Sequence, residues 1–187
     1  MAEKRARWPE QWAAVASARL VFLDESGANT QMTRRRGRSA RGQRLVAHVP
    51  HGHYQTTTMI AAVRLTGACA PCLFPGPMDG AMFLAWVQQG LVPTLQKDDW
   101  VILDNLATHK VAGVQAAIEK AGAKLCYLPP YSPDFNPIEN MWSKIKQGLR
   151  RRAPRTAREL QQAAKKAFSA ISPADCQGFF LNARYAI

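Results

Sequence analysis

RLVFLDESG at residues 19–27 and WVILDN at residues 100–105 share one grammar: four apolar residues in a row that stop on an aspartate. An apolar run with no polar alternation is the pattern of a short strand buried on both faces, as strands are inside an α/β sheet. Asp24 and Asp104 therefore both fall at the carboxyl ends of buried strands, the edge at which open α/β sheets bind their ligands.

Working outward, the rest of the chain supplies a strand cluster followed by strand–helix alternation. Residues 9–17 read as a short helix with Pro9 in its tolerated first turn. Residues 56–65 are β-prone, and Thr66-Gly67 turns them into ACAPCLF. Over residues 79–95 a helical spacing runs through Met82, Phe83, Trp86, Val87 and Leu91, ended or kinked at Pro93. Residues 109–121 form a second helix that stops at Gly122, and KLCYLPP follows as a third short strand. Asn136-Pro137 opens a helix with an Ile138, Met141, Ile145, Leu149 stripe, and residues 156–171 form a last amphipathic helix. The expected fold class is α/β: one mixed sheet with helices on both faces. The whole of 1–187 is expected to be one domain, with a helical lead-in (1–17), a core (18–150) and basic C-terminal helices (151–187).

Charge narrows the class of partner. Lys and Arg number 25 against 13 acids, a formal net charge of +12, which points to a polyanion and first to nucleic acid. No acid lies between Glu25 and Asp79, while Arg34, Arg35, Arg36, Arg38, Arg41 and Arg44 crowd one stretch. From Lys144 onward ten basic residues, Lys146, Arg150, Arg151 and Arg152 among them, face only Glu159 and Asp175. The first stretch reads as a phosphate-contacting hairpin, or else as a solvated charged loop. An apolar content of 47% excludes a disordered chain. No apolar run nears the ~18 residues that span a bilayer, so no membrane association and a cytoplasmic location are expected. Cys69, Cys72, Cys126 and Cys176 are then read as reduced thiols and not as a disulfide scaffold. His48, His51 and His53 read as a solvated or DNA-facing loop.

Three acids carry the chemistry. Glu139 sits in the first turn of its helix, beside the apolar stripe, where it can face the edge that holds Asp24 and Asp104. Carboxylates gathered in this way repel one another unless a hard cation lies among them, and Mg²⁺ favours carboxylate oxygen, water and phosphate. Each acid also has a plainer reading. The aspartates could be turn formers at strand ends, and Glu139 could be the N3 partner of Asn136 in a capping box. Glu25 follows Asp24 directly, so in a continuing strand its side chain takes the opposite face. Asp134 reads as a turn residue. His109, five residues past Asp104, could point back at the site or merely cap a helix.

Taken together, VFLDESG, VILDNLATH and LPPYSPDFNPIENMWSKIK resemble the DDE catalytic domain of mariner-like bacterial insertion sequences. The likeness runs from about residue 18 to the end, and 34 residues separate Asp104 from Glu139, the spacing of that group. It implies a ribonuclease H-like (retroviral-integrase-like) fold and a catalytic, metal-holding triad of Asp24, Asp104 and Glu139. Mg²⁺ or Mn²⁺ is the implied cofactor, with Asn105 and His109 behind the ligands. The implied activity is cleavage at transposon ends and strand transfer into target DNA, by a homodimer on DNA at the bacterial nucleoid. The alternative is a catalytically idle or non-transposing nuclease remnant of the same fold. Relatives carry helix-turn-helix modules before this domain, whereas 23 residues precede Asp24. An upstream reading-frame product, or a truncated copy, is expected on that account.

Overall fold

The computed structural model describes residues 2–34 and 36–187. Five strands form one sheet: β1 (Leu20–Asn29), β2 (Thr56–Arg64), β3 (Gly67–Pro75), β4 (Trp100–Leu103) and β5 (Lys124–Tyr127), in the order β3-β2-β1-β4-β5. β3, β2 and β1 pair antiparallel, whereas β4 and β5 run parallel to β1. The two apolar runs ending in aspartate are thus adjacent parallel strands in the middle of the sheet, which is why neither alternates. Their register matches Phe22 with Ile102, and continuing it by two residues sets Asp24 beside Asp104.

Helices cover both faces. On one lie α1 (Ala2–Trp12), α4 (Pro137–Arg152), α5 (Ala157–Ser169) and α6 (Pro173–Asn182). Their buried Trp8, Ile138, Trp142, Leu149, Leu160, Phe168 and Phe180 join Leu20, Phe22, Met59 and Ile102 in one core. On the other lie α2 (Gly80–Trp86), continued by a π turn at Val87–Leu91, and α3 (Val114–Lys120). There Phe83, Trp86, Leu91 and Ile118 pack on Val21, Leu23, Val101 and Leu103. The even- and odd-numbered residues of β1 and β4 divide between the two cores, as the pleat requires. Among the described residues no helix is long and apolar enough to cross a membrane.

Behind the sheet, at the edge opposite the aspartates, Asp99 is fully buried and accepts from Arg64 Nη2 at 2.8 Å and from the Gln96 backbone N–H at 2.8 Å. The Arg64 guanidinium, at the end of β2, also donates to the Thr94 carbonyl. One buried ion pair therefore ties the last residue of β2 to the residue that enters β4.

Four local expectations need correction: α3 fills only Val114–Lys120 of the expected 109–121, after a separate 3-10 turn at Ala107–Lys110, and α6 (Pro173–Asn182) follows the helix expected to be last. The N-terminal helix spans Ala2–Trp12 with Pro9 in its interior, not residues 9–17. Tertiary packing outweighs the hydrogen bond lost at Pro9, because Trp8 and Trp12 are buried and Trp8 Nε1 donates to the Tyr185 hydroxyl. The arginine-rich segment contains no hairpin among its described residues. It is an exposed irregular excursion from β1 to β2, with one turn where Gln43 N–H donates to Ala40. Without alternating apolar residues it has no face to bury, and so nothing fixes a strand register.

Candidate active site

Asp24, Asp104 and Glu139 line one pocket of about 410 Å³ at the carboxyl edge of the sheet. Asp24 is half-buried on β1, Asp104 immediately follows β4, and Glu139 stands exposed in the first turn of α4. Pro137 at the helix start and the buried Ile138, Met141 and Trp142 clamp that turn against the sheet. The capping box open to Glu139 does not form: no side chain caps α4, and Asn136 Oδ1, on the pocket wall, is buried without a partner. The Glu139 carboxylate is thus not consumed by the helix end.

The electrostatics of the pocket are those of crowded acids. Burial, followed by the neighbouring charges of Glu25, Glu139 and Asp104, pushes the Asp24 carboxyl up to about 8, against a backbone N–H from Glu25 that pulls it down. Asp104 moves the other way. Burial would raise it, but His109, the Leu106 N–H and Lys110 together hold it below the ordinary carboxylate range. Among the described residues no three His, Cys, Asp or Glu side chains are already drawn into a closed cage. Three carboxylates that share a pocket, repel one another and adjoin an orphaned amide oxygen are a donor set of the kind a hard divalent cation takes.

His109 is the residue whose surroundings say most. It is fully buried, its ring stacked on Phe83 at 4.5 Å between centroids. Nε2 lies 2.6 Å from Glu25 Oε2, and Nδ1 lies 2.7 Å from Asp104 Oδ1. Both ring nitrogens face acceptor-only groups, and only imidazolium carries two N–H donors. Burial lowers the His109 pKa, yet Asp104 and Glu25 outweigh it and raise it to about 9. Glu25 does take the face opposite Asp24, but it reaches the site through this bridge, a role the sequence reading did not assign. Period-2 alternation was the available signal, because it aims Glu25 at the face that His109 also enters. Asn105, on the pocket wall, spends its amide on the Leu128 carbonyl at 2.7 Å, tying the loop after β4 to the end of β5.

The basic residues divide. Arg34, Arg36 and Arg38 meet Gln147, Arg150 and Arg151 of α4 around a second cleft. Arg35 lies outside the described residues. Arg41, Arg44 and Arg152 are exposed, and Lys146 is half-buried on α4. Lys144 is engaged in an ion pair with Asp175, which removes it from the freely available cations. Asp134 is held by Arg5, both carboxylate oxygens lying 3.0 Å from Nη2. His48, His51 and His53 are exposed, and all four cysteines are free thiols.

Residues 19–161 match a family model described as DDE superfamily endonuclease. No curated protein sequence matches the chain. Among solved structures, the Mos1 mariner paired end complex with Mn aligns at a TM-score of 0.77 and 15% identity, over 97% of this chain and 57% of that one. The Mos1 strand transfer complex aligns at 0.76 and 15%, over 97% and 55%. The catalytic domain of Mos1 mariner transposase aligns at 0.64 and 13%, over 99% and 92%. At such identities the likeness is one of fold, and it bears out the ribonuclease H-like arrangement. The chain spans little more than half the length of the chains in the two complexes.

Proposed function

The chain belongs to the DDE superfamily of endonucleases, and from that premise we propose that it is the catalytic domain of a transposase, with Asp24, Asp104 and Glu139 holding divalent metal. The observation that carries this reading is the meeting of three carboxylates from β1, the end of β4 and α4 in one pocket of an otherwise strongly basic chain. When bound, Mg²⁺ or Mn²⁺ would activate an attacking oxygen and neutralise a leaving one at a phosphodiester.

The chain's own residues do the rest. Asp104 is kept ionised and oriented by His109 and the Leu106 N–H, ready to accept a cation. Asp24, whose proton is held by its crowded neighbours, gives that proton up as positive charge arrives. Glu139, uncommitted to a cap, closes the set from the helix side. Eleven residues further along α4, a rise of about 16 Å, Arg150 and Arg151 adjoin the cleft formed with Arg34, Arg36 and Arg38. A DNA backbone lying along α4 would be neutralised there while its phosphodiester enters the acidic pocket. In this reading residues 1–187 act as one catalytic unit, cleaving at transposon ends and transferring the strand to target DNA as a homodimer.

The test is nicking of supercoiled DNA by the full chain in Mn²⁺, wild type against Glu139→Gln. Because Glu139 caps nothing, the variant should keep its folding stability within about 1 kcal/mol while nicking drops by orders of magnitude. A folded Glu139→Gln protein that nicks at the wild-type rate would overturn the assignment.

A further inference from the structure

The lip of the acidic pocket carries a feature that metal-holding does not use. Tyr131 lines the pocket, yet it is 88% exposed, and its backbone sits in the left-handed region at φ 54°. A tyrosine there is strained and persists only when its surroundings over-determine it. They do. Arg5 of α1 spends its whole fork on the segment that carries Tyr131: Nη1 donates to the Tyr131 carbonyl at 2.8 Å and to Ser132 Oγ at 2.7 Å. Nη2 donates to both oxygens of Asp134, and the guanidinium lies 5.1 Å from the Phe135 ring centroid. Pro129, Pro130 and Pro133 stiffen the same stretch. The strain contributes nothing to either core, since the ring joins neither. What it accomplishes is to hold an exposed aromatic ring at the lip of the pocket that the three carboxylates line. On the loop that follows Asp104, half-exposed Leu106 lines the same pocket.

We propose that Tyr131 is a stacking residue for an unpaired nucleobase next to the phosphodiester being attacked, with Leu106 as the apolar surface on the other loop. The inference rests on the proposed action on DNA. A base splayed from the strand presents a π-face of any sequence, and an aromatic ring held rigidly in place loses little freedom in meeting it. Such a contact favours DNA that is distorted or gapped at the site over fully paired duplex, because unstacking a paired base is costly. Tyr131 is accordingly a positioning residue: it would fix where the strand lies, and it takes no part in moving protons or metal.

The experiment compares binding of the full chain, without divalent metal, to a paired duplex and to the same duplex with a one-nucleotide gap facing a 2-aminopurine. Tyr131→Asn removes the ring with a residue that tolerates the left-handed backbone, so its thermal midpoint should equal or exceed that of wild type. Its affinity for the gapped duplex should fall about five- to 150-fold, the range for one lost base–aromatic stack, and quenching of the 2-aminopurine should disappear. Paired-duplex affinity and the dependence on salt should not change, and Tyr131→Phe should retain wild-type behaviour throughout. Tyr131→Asn binding the gapped duplex as tightly as wild type would overturn the proposal. So would equal losses on both duplexes, the mark of a merely structural residue. Wild type binding neither duplex would overturn the DNA reading as well, so the two failures are distinct.

Discussion

Replacing His109 by Leu, a side chain of similar bulk, removes the cation between Glu25 and Asp104 while keeping the space beside Phe83 filled. Two routes give the size of the effect. Lifting the imidazole from its ordinary 6.5 to about 9 corresponds to roughly 3 kcal/mol of extra hold on the proton in the folded state. Breaking a buried ion pair costs about 3–5 kcal/mol, and the low end applies because the Asp104 side chain is 38% exposed. Both agree on about 3 kcal/mol. A group whose pKa is raised on folding stabilises fully below its unfolded value and loses that contribution as pH climbs through the folded one. In urea denaturation with a chelator present, wild type should exceed His109→Leu by about 3 kcal/mol at pH 6. The difference should shrink steadily as pH rises through 9. Adding Glu25→Gln to His109→Leu should restore about 1–2 kcal/mol by neutralising an acid that has lost its partner. A wild-type advantage that stays constant across this range, or strictly additive losses in the double variant, would refute an imidazolium bridge.

Mn²⁺ should raise the thermal midpoint of wild type by mass action and relieve the repulsion around Asp24, whereas Asp104→Asn should forfeit most of that rise. Equal shifts in the two proteins would move the metal elsewhere. Replacing Arg34, Arg36 and Arg38 together by Ala should flatten the plot of log affinity against log salt by up to about three units if each meets a phosphate. An unchanged slope would shift the DNA track to the exposed cations of the C-terminal helices.

Much of the site's geometry was legible because it follows from strand grammar. Apolar runs of four, such as 20–23 and 100–103, fit central, doubly covered strands, and once those are parallel neighbours their terminal aspartates must share an edge. The α4 stripe likewise dictated which side of that helix Glu139 borders. What escaped depends on contacts between segments far apart in the chain. Nothing local announces that Arg5 reaches Tyr131, Ser132 and Asp134, and alternation gives only the face of Glu25, not that His109 closes on it there. Pro9 misled because propensity speaks for an isolated helix, whereas α1 is held by two buried tryptophans. In the arginine-rich excursion a cluster of cations is no evidence for a hairpin, because charge without flanking apolar alternation specifies no strands.

The buried pair of Arg64 and Asp99 has a consequence at the far end of the molecule. Side chains in a sheet repeat every two residues, so a slip of β4 by one residue against β1 would turn Asp104 to the wrong face. Parallel ladders of three or four residues are weak arbiters of register by themselves. Anchoring the entrance of β4 to the end of β2, through a charge that cannot move without being stranded in the interior, favours the register in which Asp104, about 16 Å along β4, lies beside Asp24. The spacing of the acids is thus adjusted from the opposite rim, as a carpenter squares one end of a frame by pinning the other.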